Sequence, residues 1–396
     1  MEGPGLSQAG PLRCAEDAEL HDDSLRCTGH GSQGRGFRIM KKALAGLLGL
    51  AGVAWALKDL PRQLGGKPDP VHMSRSPRYR DGKFHNDKEV STVPDRDSFS
   101  MRDFVFGGAD RKPSVAVPLV GPLSPVAEGV HITWYGHASA LIEIDGAAVL
   151  IDPVWSDRVS PSAHVGPKRL HPVPHQLSDL PDVSAVVVSH DHYDHLDMET
   201  VQALTASSAA VFVVPLGLGA HLARWDVPAS RIVELDWDES HSVAGFTLTC
   251  TAAQHFSGRS VQRNVTLWAS WVIKRGERSV FYSGDTGYFA GYKAIGEAHG
   301  PFDAVLMQVG AYGDAWPDIH MTPEDGVRAF EDLGGGLLIP VHWATFNLAL
   351  HPWGEPIDRV WREVKARGMK MAVPRPGERV DVDSPGEVDG WWQALA

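Results

Sequence analysis

Residues 189–197 read SHDHYDHLD, Ser189-His190-Asp191-His192-Tyr193-Asp194-His195-Leu196-Asp197, and follow directly on the apolar run Ala185-Val186-Val187-Val188. A short β-branched run of this kind suits a strand buried on both faces of a sheet. Three histidines and three aspartates at its end are metal-seeking groups. Imidazole nitrogens and carboxylate oxygens suit zinc and neighbouring divalent transition metals, whereas calcium and magnesium prefer all-oxygen shells. His190 and His192, two apart on an extended backbone, can point the same way and hold one ion. Asp194 and His195, where the chain turns into a helix, can serve a second ion nearby.

Further ligands are expected at other strand ends, and the sequence offers them. His255 follows the strand Phe246-Thr247-Leu248-Thr249-Cys250-Thr251. Asp285 follows Ser279-Val280-Phe281-Tyr282-Ser283 in the phrase SGDTGY, where Gly284 and Gly287 allow close backbone approach. His342 follows Gly336-Leu337-Leu338-Ile339-Pro340-Val341. Asp152, ending Val149-Leu150-Ile151, can accept the ring N–H of a ligand histidine from outside the ligand set and fix its tautomer.

The surrounding pattern indicates an α/β fold. Strands are expected at 131–135, 140–144 and 147–151, with Asp145-Gly146 as a hairpin turn. A strand at 184–189, a helix from 197, a strand at 210–214 and a helix at 217–225 follow. Strands return at 245–253, 266–273, 279–283, 303–308 and 337–341. Helices fall near 290–299 and 323–333, the last opening with Thr322 as N-cap and Pro323 behind it. Two halves, each with strands first and helices after, predict two sheets packed face to face with helices outside.

Composition narrows the class. With 396 residues, 43% of them apolar, the chain can bury a sizeable core. A net charge of -12 argues against nucleic acid as a partner. Three cysteines do not build a disulfide framework or a cysteine metal site, and 19 histidines are the informative excess. Arg38, Lys41 and Lys42 precede an apolar run over 43–57, and Ala54-Trp55-Ala56 matches a cleavage pattern. Residues 1–58 therefore read as a leader, with Met40 as the expected natural start, plus a signal peptide or membrane anchor. Residues 59–125 read as a proline-rich extended arm and 126–396 as the catalytic domain. Export or attachment at a membrane surface is the expected localisation.

The spacing H-x-H-x-D-H, followed by distant His, Asp and His, resembles the metallo-β-lactamase superfamily. That resemblance implies its αββα four-layer sandwich of two mixed sheets. It also implies that His190, His192 and His255 hold one metal, that Asp194, His195 and His342 hold the other, and that Asp285 bridges them. The phrases ITWYGHASALIEIDG, GPKRLHP, VVVSHDHYDHLD, VVPLGLG, FYSGDTGYF and IHMTPEDGVRAF further resemble the N-acylphosphatidylethanolamine-hydrolysing phospholipase D family. The resemblance implies two zinc ions or other divalent transition metals, a phospholipid substrate at a membrane surface, and a homodimer. It makes Asp194 and Asp285 catalytic as well as ligating, and gives His320 substrate positioning or proton delivery.

Substrate contacts are expected from Arg259, His137, Tyr312 and Trp316, and a lipid-facing groove from Trp155, Trp316, Trp343 and Trp353. Two stretches expected to border the substrate, 313–317 and 256–259, depart from the family's phrases. Alternative readings are a lactonase or soluble-phosphodiester hydrolase of the same superfamily, and a non-catalytic metal-binding scaffold. A long apolar channel to the metals would favour the lipid, and a small polar cup the alternatives.

Overall fold

The computed structural model describes residues 60–91, 102, 107, 109–122 and 124–395. The expected leader and signal or anchor segment, 1–58, lies outside them. The described part of the arm carries two four-residue helices, α1 (Leu60–Gln63) and α2 (Pro70–Met73), and a hairpin of β1 (Tyr79–Arg80) and β2 (Lys83–Phe84). Met73 and Phe84 are buried, and the Phe84 N–H donates to Asn264 O at 2.7 Å.

The first sheet is built from β3 (Val130–Gly136), β4 (Ser139–Ile144), β5 (Ala147–Ile151), β6 (Val183–Val187), β7 (Val211–Pro215) and β8 (Ile232–Leu235). The second contains β9 (Ser240–Val243), β10 (Phe246–Thr251), β11 (Ser270–Arg275), β12 (Arg278–Tyr282), β13 (Ala304–Gln308), β14 (Leu337–Val341) and β15 (Lys370–Met371). β16 (Arg379–Asp381) returns to the first sheet beside β3, giving the order β16-β3-β4-β5-β6-β7-β8. The second sheet runs β15-β14-β13-β12-β11-β10-β9. Each sheet is mixed, with four strands in parallel ladders and an antiparallel remainder.

Side chains alternate along the central strands of the first sheet between two cores. Ala185 and Val187 of β6, with Ile142 and Val149, join the large core shared with the second sheet. Val186 and Val188, with Leu141 and Leu150, face the other way. There they meet Val201 and Leu204 of helix α3 (Met198–Ser207) and Leu222 of α4 (Gly219–Arg224). The apolar run before SHDHYDHLD is uninterrupted because both its faces are covered. Each fully buried valine there contributes roughly 1.5–3 kcal/mol.

Helices α5 (Gly291–His299), α6 (Pro323–Asp332) and α7 (Glu355–Arg367) cover the second sheet through Ile295, Val327, Phe330, Val360 and Val364. Thr322 caps α6, its hydroxyl accepting from the Asp325 N–H at 3.2 Å. The sequence reading assigned no element to α7, although Ile357, Val360 and Val364 recur at helical spacing and Gly368 ends it at φ 64°. β11 also begins later than the expected 266. The Leu267 and Ala269 N–H groups donate to Leu216 O and Ser189 O, outside the β10 ladder.

Candidate metal centre

The ends of β5, β6, β10, β12 and β14 and the β3–β4 turn converge at one edge of the two sheets. Of the six charged or imidazole groups in SHDHYDHLD, four turn inward. Asp197 instead caps α3 and takes the Thr200 hydroxyl at 2.5 Å. Asp191 turns outward, accepting from the Gly258 N–H at 2.6 Å and pairing with His221 Nε2 at 3.2 Å. Burial alone would raise the Asp191 carboxyl, but the His221 hydrogen bond and the charges around it bring it down to about 2.

Two four-residue donor groups result, one of His190, His192, His255 and Asp285, the other of His137, Asp194, His195 and His342, and a third group of Asp285, His320 and His342 overlaps both. They meet at Asp285. Its Oδ2 lies 3.1 Å from His342 Nε2, 3.2 Å from His195 Nε2, and 3.9 Å from the Nε2 atoms of His190, His255 and His320. Asp194 Oδ2 lies 2.8 Å from His137 Nε2, 3.3 Å from His342 Nε2 and 3.4 Å from His195 Nε2. On the other side His190 Nε2 and His192 Nδ1 are 2.8 Å apart, and His255 Nε2 is 3.3 Å from that same Nδ1. Every candidate ligand the sequence named thus enters one of the two groups.

The residues fit divalent metal ions. Among the described residues, buried His195 Nε2, His342 Nε2 and Asp285 Oδ1 have no hydrogen-bond partner, although an orphaned buried polar group costs about 1–3 kcal/mol. Burial pushes His190 and His255 well below the usual histidine range, with neighbouring imidazoles adding to it, so both rings are neutral and able to ligate. Burial opposes charge on Asp194 and Asp285 too, yet the surrounding imidazoles hold both well below the usual carboxylate range. Neutral imidazoles beside ionised carboxylates are a transition-metal donor set. At His195 and His342 burial is outweighed by the neighbouring Asp285 and Asp194 carboxylates, which raise both, His342 to about 8. Those two rings would release a proton on binding a metal.

Behind the donors lies a buried network. Asp152 Oδ2 accepts from His195 Nδ1–H at 2.6 Å, from the Ser189 hydroxyl at 2.5 Å and from the Tyr282 hydroxyl, while Oδ1 accepts from the Ser189 N–H at 2.7 Å. Ser189 and Tyr282 were missed by sequence reasoning. The available signal was a hydroxyl on an otherwise apolar strand, Val280-Phe281-Tyr282. His255 Nδ1–H donates to Ile319 O at 3.0 Å, leaving Nε2 for the centre. Asp152, His137 and His342 all hold left-handed φ, at 38°, 53° and 68°. Such strain in non-glycine residues gathers at functional sites. Gly284, φ +56°, lets the strand end close on its neighbours, since a Cβ there would stand 2.6 Å from Ala269 O.

Several residues expected to contact substrate are engaged within the protein. Arg259 is buried and its guanidinium donates to main-chain carbonyls, Nε to Gln63 O at 2.9 Å and Nη1 to Asp191 O and Leu196 O at 2.9 and 2.6 Å. It holds the metal-bearing loop together. The Tyr312 hydroxyl donates to Glu355 at 2.6 Å, and its ring stacks on His351. Trp316 is buried, its indole N–H donating to Ala311 O at 2.8 Å. Trp343 and Trp353 belong to the main core beside Trp134, Trp391 and Trp392, and Trp155 donates to His175 O, so the four tryptophans form no common groove. His137, expected against the substrate, bonds Asp194 instead. His320 does reach the centre, its Nε2 3.9 Å from Asp285 Oδ2, and its buried Nδ1 has no hydrogen-bond partner among the described residues.

A family model described as a beta-lactamase superfamily domain matches residues 147–343. An uncharacterized protein of Mycobacterium tuberculosis is 48% identical over 90% of this chain and all of its own length. A Caenorhabditis elegans protein named N-acyl-phosphatidylethanolamine-hydrolyzing phospholipase D is 36% identical over 60% of this chain and 71% of its own. Among solved structures, an isothiocyanate hydrolase from Delia radicum gut bacteria is similar in fold, with a TM-score of 0.51 and 22% identity over 63% of this chain and 98% of its own.

Proposed function

From the premise that this chain belongs to the metallo-β-lactamase superfamily of metal-dependent hydrolases, we propose that it is a dinuclear-zinc phosphodiesterase. Its substrate in this reading is a phospholipid, N-acylphosphatidylethanolamine, cut to phosphatidic acid and an N-acylethanolamine at a membrane surface. The observation that carries the reading is the pair of buried donor groups meeting at Asp285 Oδ2. Two ions held there would supply Lewis-acid polarisation of a phosphoryl oxygen and neutralise charge developing on it. The phospholipase D name of the 36% identical relative supports the choice of lipid.

The chain's own residues orient the reaction. His137 holds the Asp194 carboxylate from behind, and Asp152 holds His195. His320, whose Nε2 lies 3.9 Å from Asp285 Oδ2, is in this reading the imidazole for substrate positioning or proton delivery. Two small apolar clusters flank the centre and share Leu348. One contains Phe346, whose ring lies 5.2 Å from His137, together with Val154, Val159 and Tyr193. The other contains Trp316, Ile319 and Phe256, the last 4.5 Å from His192. Apolar residues beside the centre support an acyl chain, although most of them are buried and the cavity that touches His137 and His342 is only about 20 Å³, too small to be the long channel expected for a lipid.

The test is turnover by the full chain in mixed micelles, loaded with zinc, beside Asp285→Asn. Release of N-acylethanolamine and phosphatidic acid by the parent, lost in the variant, is the expected result. Cleavage of bis(p-nitrophenyl) phosphate with no lipid turnover would contradict the lipid assignment and retain phosphodiester hydrolysis.

A further inference from the structure

We propose that Asn86, in the amino-terminal arm, is a positioning residue for the metal centre. Its side-chain amide grips the main chain of His255 on both sides and fixes where His255 Nε2 stands. This rests on the dinuclear reading above. Asn86 Nδ2 donates to His255 O at 2.8 Å, and the His255 N–H donates to Asn86 Oδ1 at 3.1 Å, a reciprocal pair across 169 residues of sequence. Trp268 Nε1 donates to the same Oδ1 at 3.1 Å and to Ala253 O at 3.0 Å.

His255 lies beyond β10, where no sheet ladder fixes its backbone. Among the described residues, its N–H and carbonyl both find their hydrogen-bond partner in Asn86. Its ring is fixed separately by Ile319 O. Removing the amide therefore frees the main chain of one ligand in the His190, His192, His255 and Asp285 group and touches no donor of the other group. The role needs an amide. One planar head must donate and accept at once, which a carboxylate cannot do, and glutamine would push the head outward by a methylene.

The arm is anchored for this task. Phe84, two residues before Asn86, is buried and bonded to Asn264 O, and the His85 N–H donates to Arg78 O at 3.1 Å. A second tie runs from Gln63 O through Arg259 to the carbonyls of Asp191 and Leu196. The arm thus braces the backbone on both sides of the His190–His192–His255 group. Partners of metal ligands typically tune affinity by about 10–100-fold.

The experiment uses the full chain, stripped with a chelator and titrated with cobalt(II), as parent, Asn86→Ala, Asn86→Asp and the exposed control Lys88→Ala. The parent and Lys88→Ala are expected to bind two ions. Asn86→Ala should bind one of them about 10–100-fold more weakly, with a changed visible spectrum for that ion alone and the other ion bound as in the parent. Its metal-free unfolding midpoint falls too, because the His255 N–H and carbonyl are left unpaired. Asn86→Asp keeps the acceptor for His255 and Trp268, so its loss should be smaller. It is read by itself if the alanine variant does not fold. Parent-like affinity and spectrum in the Asn86 variants would overturn the proposal. So would equal weakening of both ions, which marks a general structural role. A parent binding fewer than two ions contradicts the dinuclear reading itself.

Discussion

Asp152 Oδ2 and His195 Nδ1 stand 2.6 Å apart in a fully buried contact, and that bond turns His195 Nε2 toward Asp285. Replacing Asp152 by alanine should weaken metal binding by about 10–100-fold, since the ring loses both orientation and tautomer control. Tyr282→Phe removes one donor of the same carboxylate and should show a smaller loss. Chelator competition against both variants checks the order.

Arg259→Met should act on stability. Its three donations to carbonyls would be lost, leaving those oxygens buried and unpaired, at a cost of about 3 kcal/mol. Thermal unfolding should show the loss while KM for a soluble diester changes little. A raised KM with an unchanged unfolding midpoint would restore Arg259 as a phosphate clamp.

Phe256 beside His192 and Phe346 beside His137 should matter for lipid and not for a small diester. Each ring replaced by alanine is expected to raise the lipid KM about tenfold, the equivalent of part of one buried aromatic. Comparing the two substrates on the same variant separates an acyl-chain contact from a general defect.

The ligand histidines and aspartates were legible because each follows an apolar run that can be recognised as a buried strand. Strand ends converge at one edge when two such sheets pack, so local patterns carried long-range information at His190, His255, Asp285 and His342. Asn86 and Tyr282 were not legible for the opposite reason. Asn86 lies in an arm without periodicity, and its significance appears only once the chain folds back over 169 residues. Tyr282 sits in an ordinary strand pattern, and only the packing places its hydroxyl on Asp152. The partners of Arg259 and the tryptophans were not legible because a sequence does not say which way a side chain faces. The guanidinium found carbonyls of the metal loop, and Trp343 and Trp353 found the core.

Metal removal should destabilise the fold. Ions that bind the native centre alone add about 2.7 kcal/mol when present at 100 times Kd, so chelation should lower the unfolding midpoint and metal readdition should restore it. Asp285→Asn should blunt the shift, because one donor group loses its carboxylate and the other loses the charge 3.1 and 3.2 Å from His342 and His195.

The count of ions per chain tests the central claim most directly. Titration of the stripped full chain with zinc, followed by elemental analysis, should reach two ions per chain in the parent and fall below two in Asp285→Asn and in His255→Ala. A plateau at one ion in the parent, unaffected by loss of His255, would contradict a centre built from two donor groups meeting at Asp285.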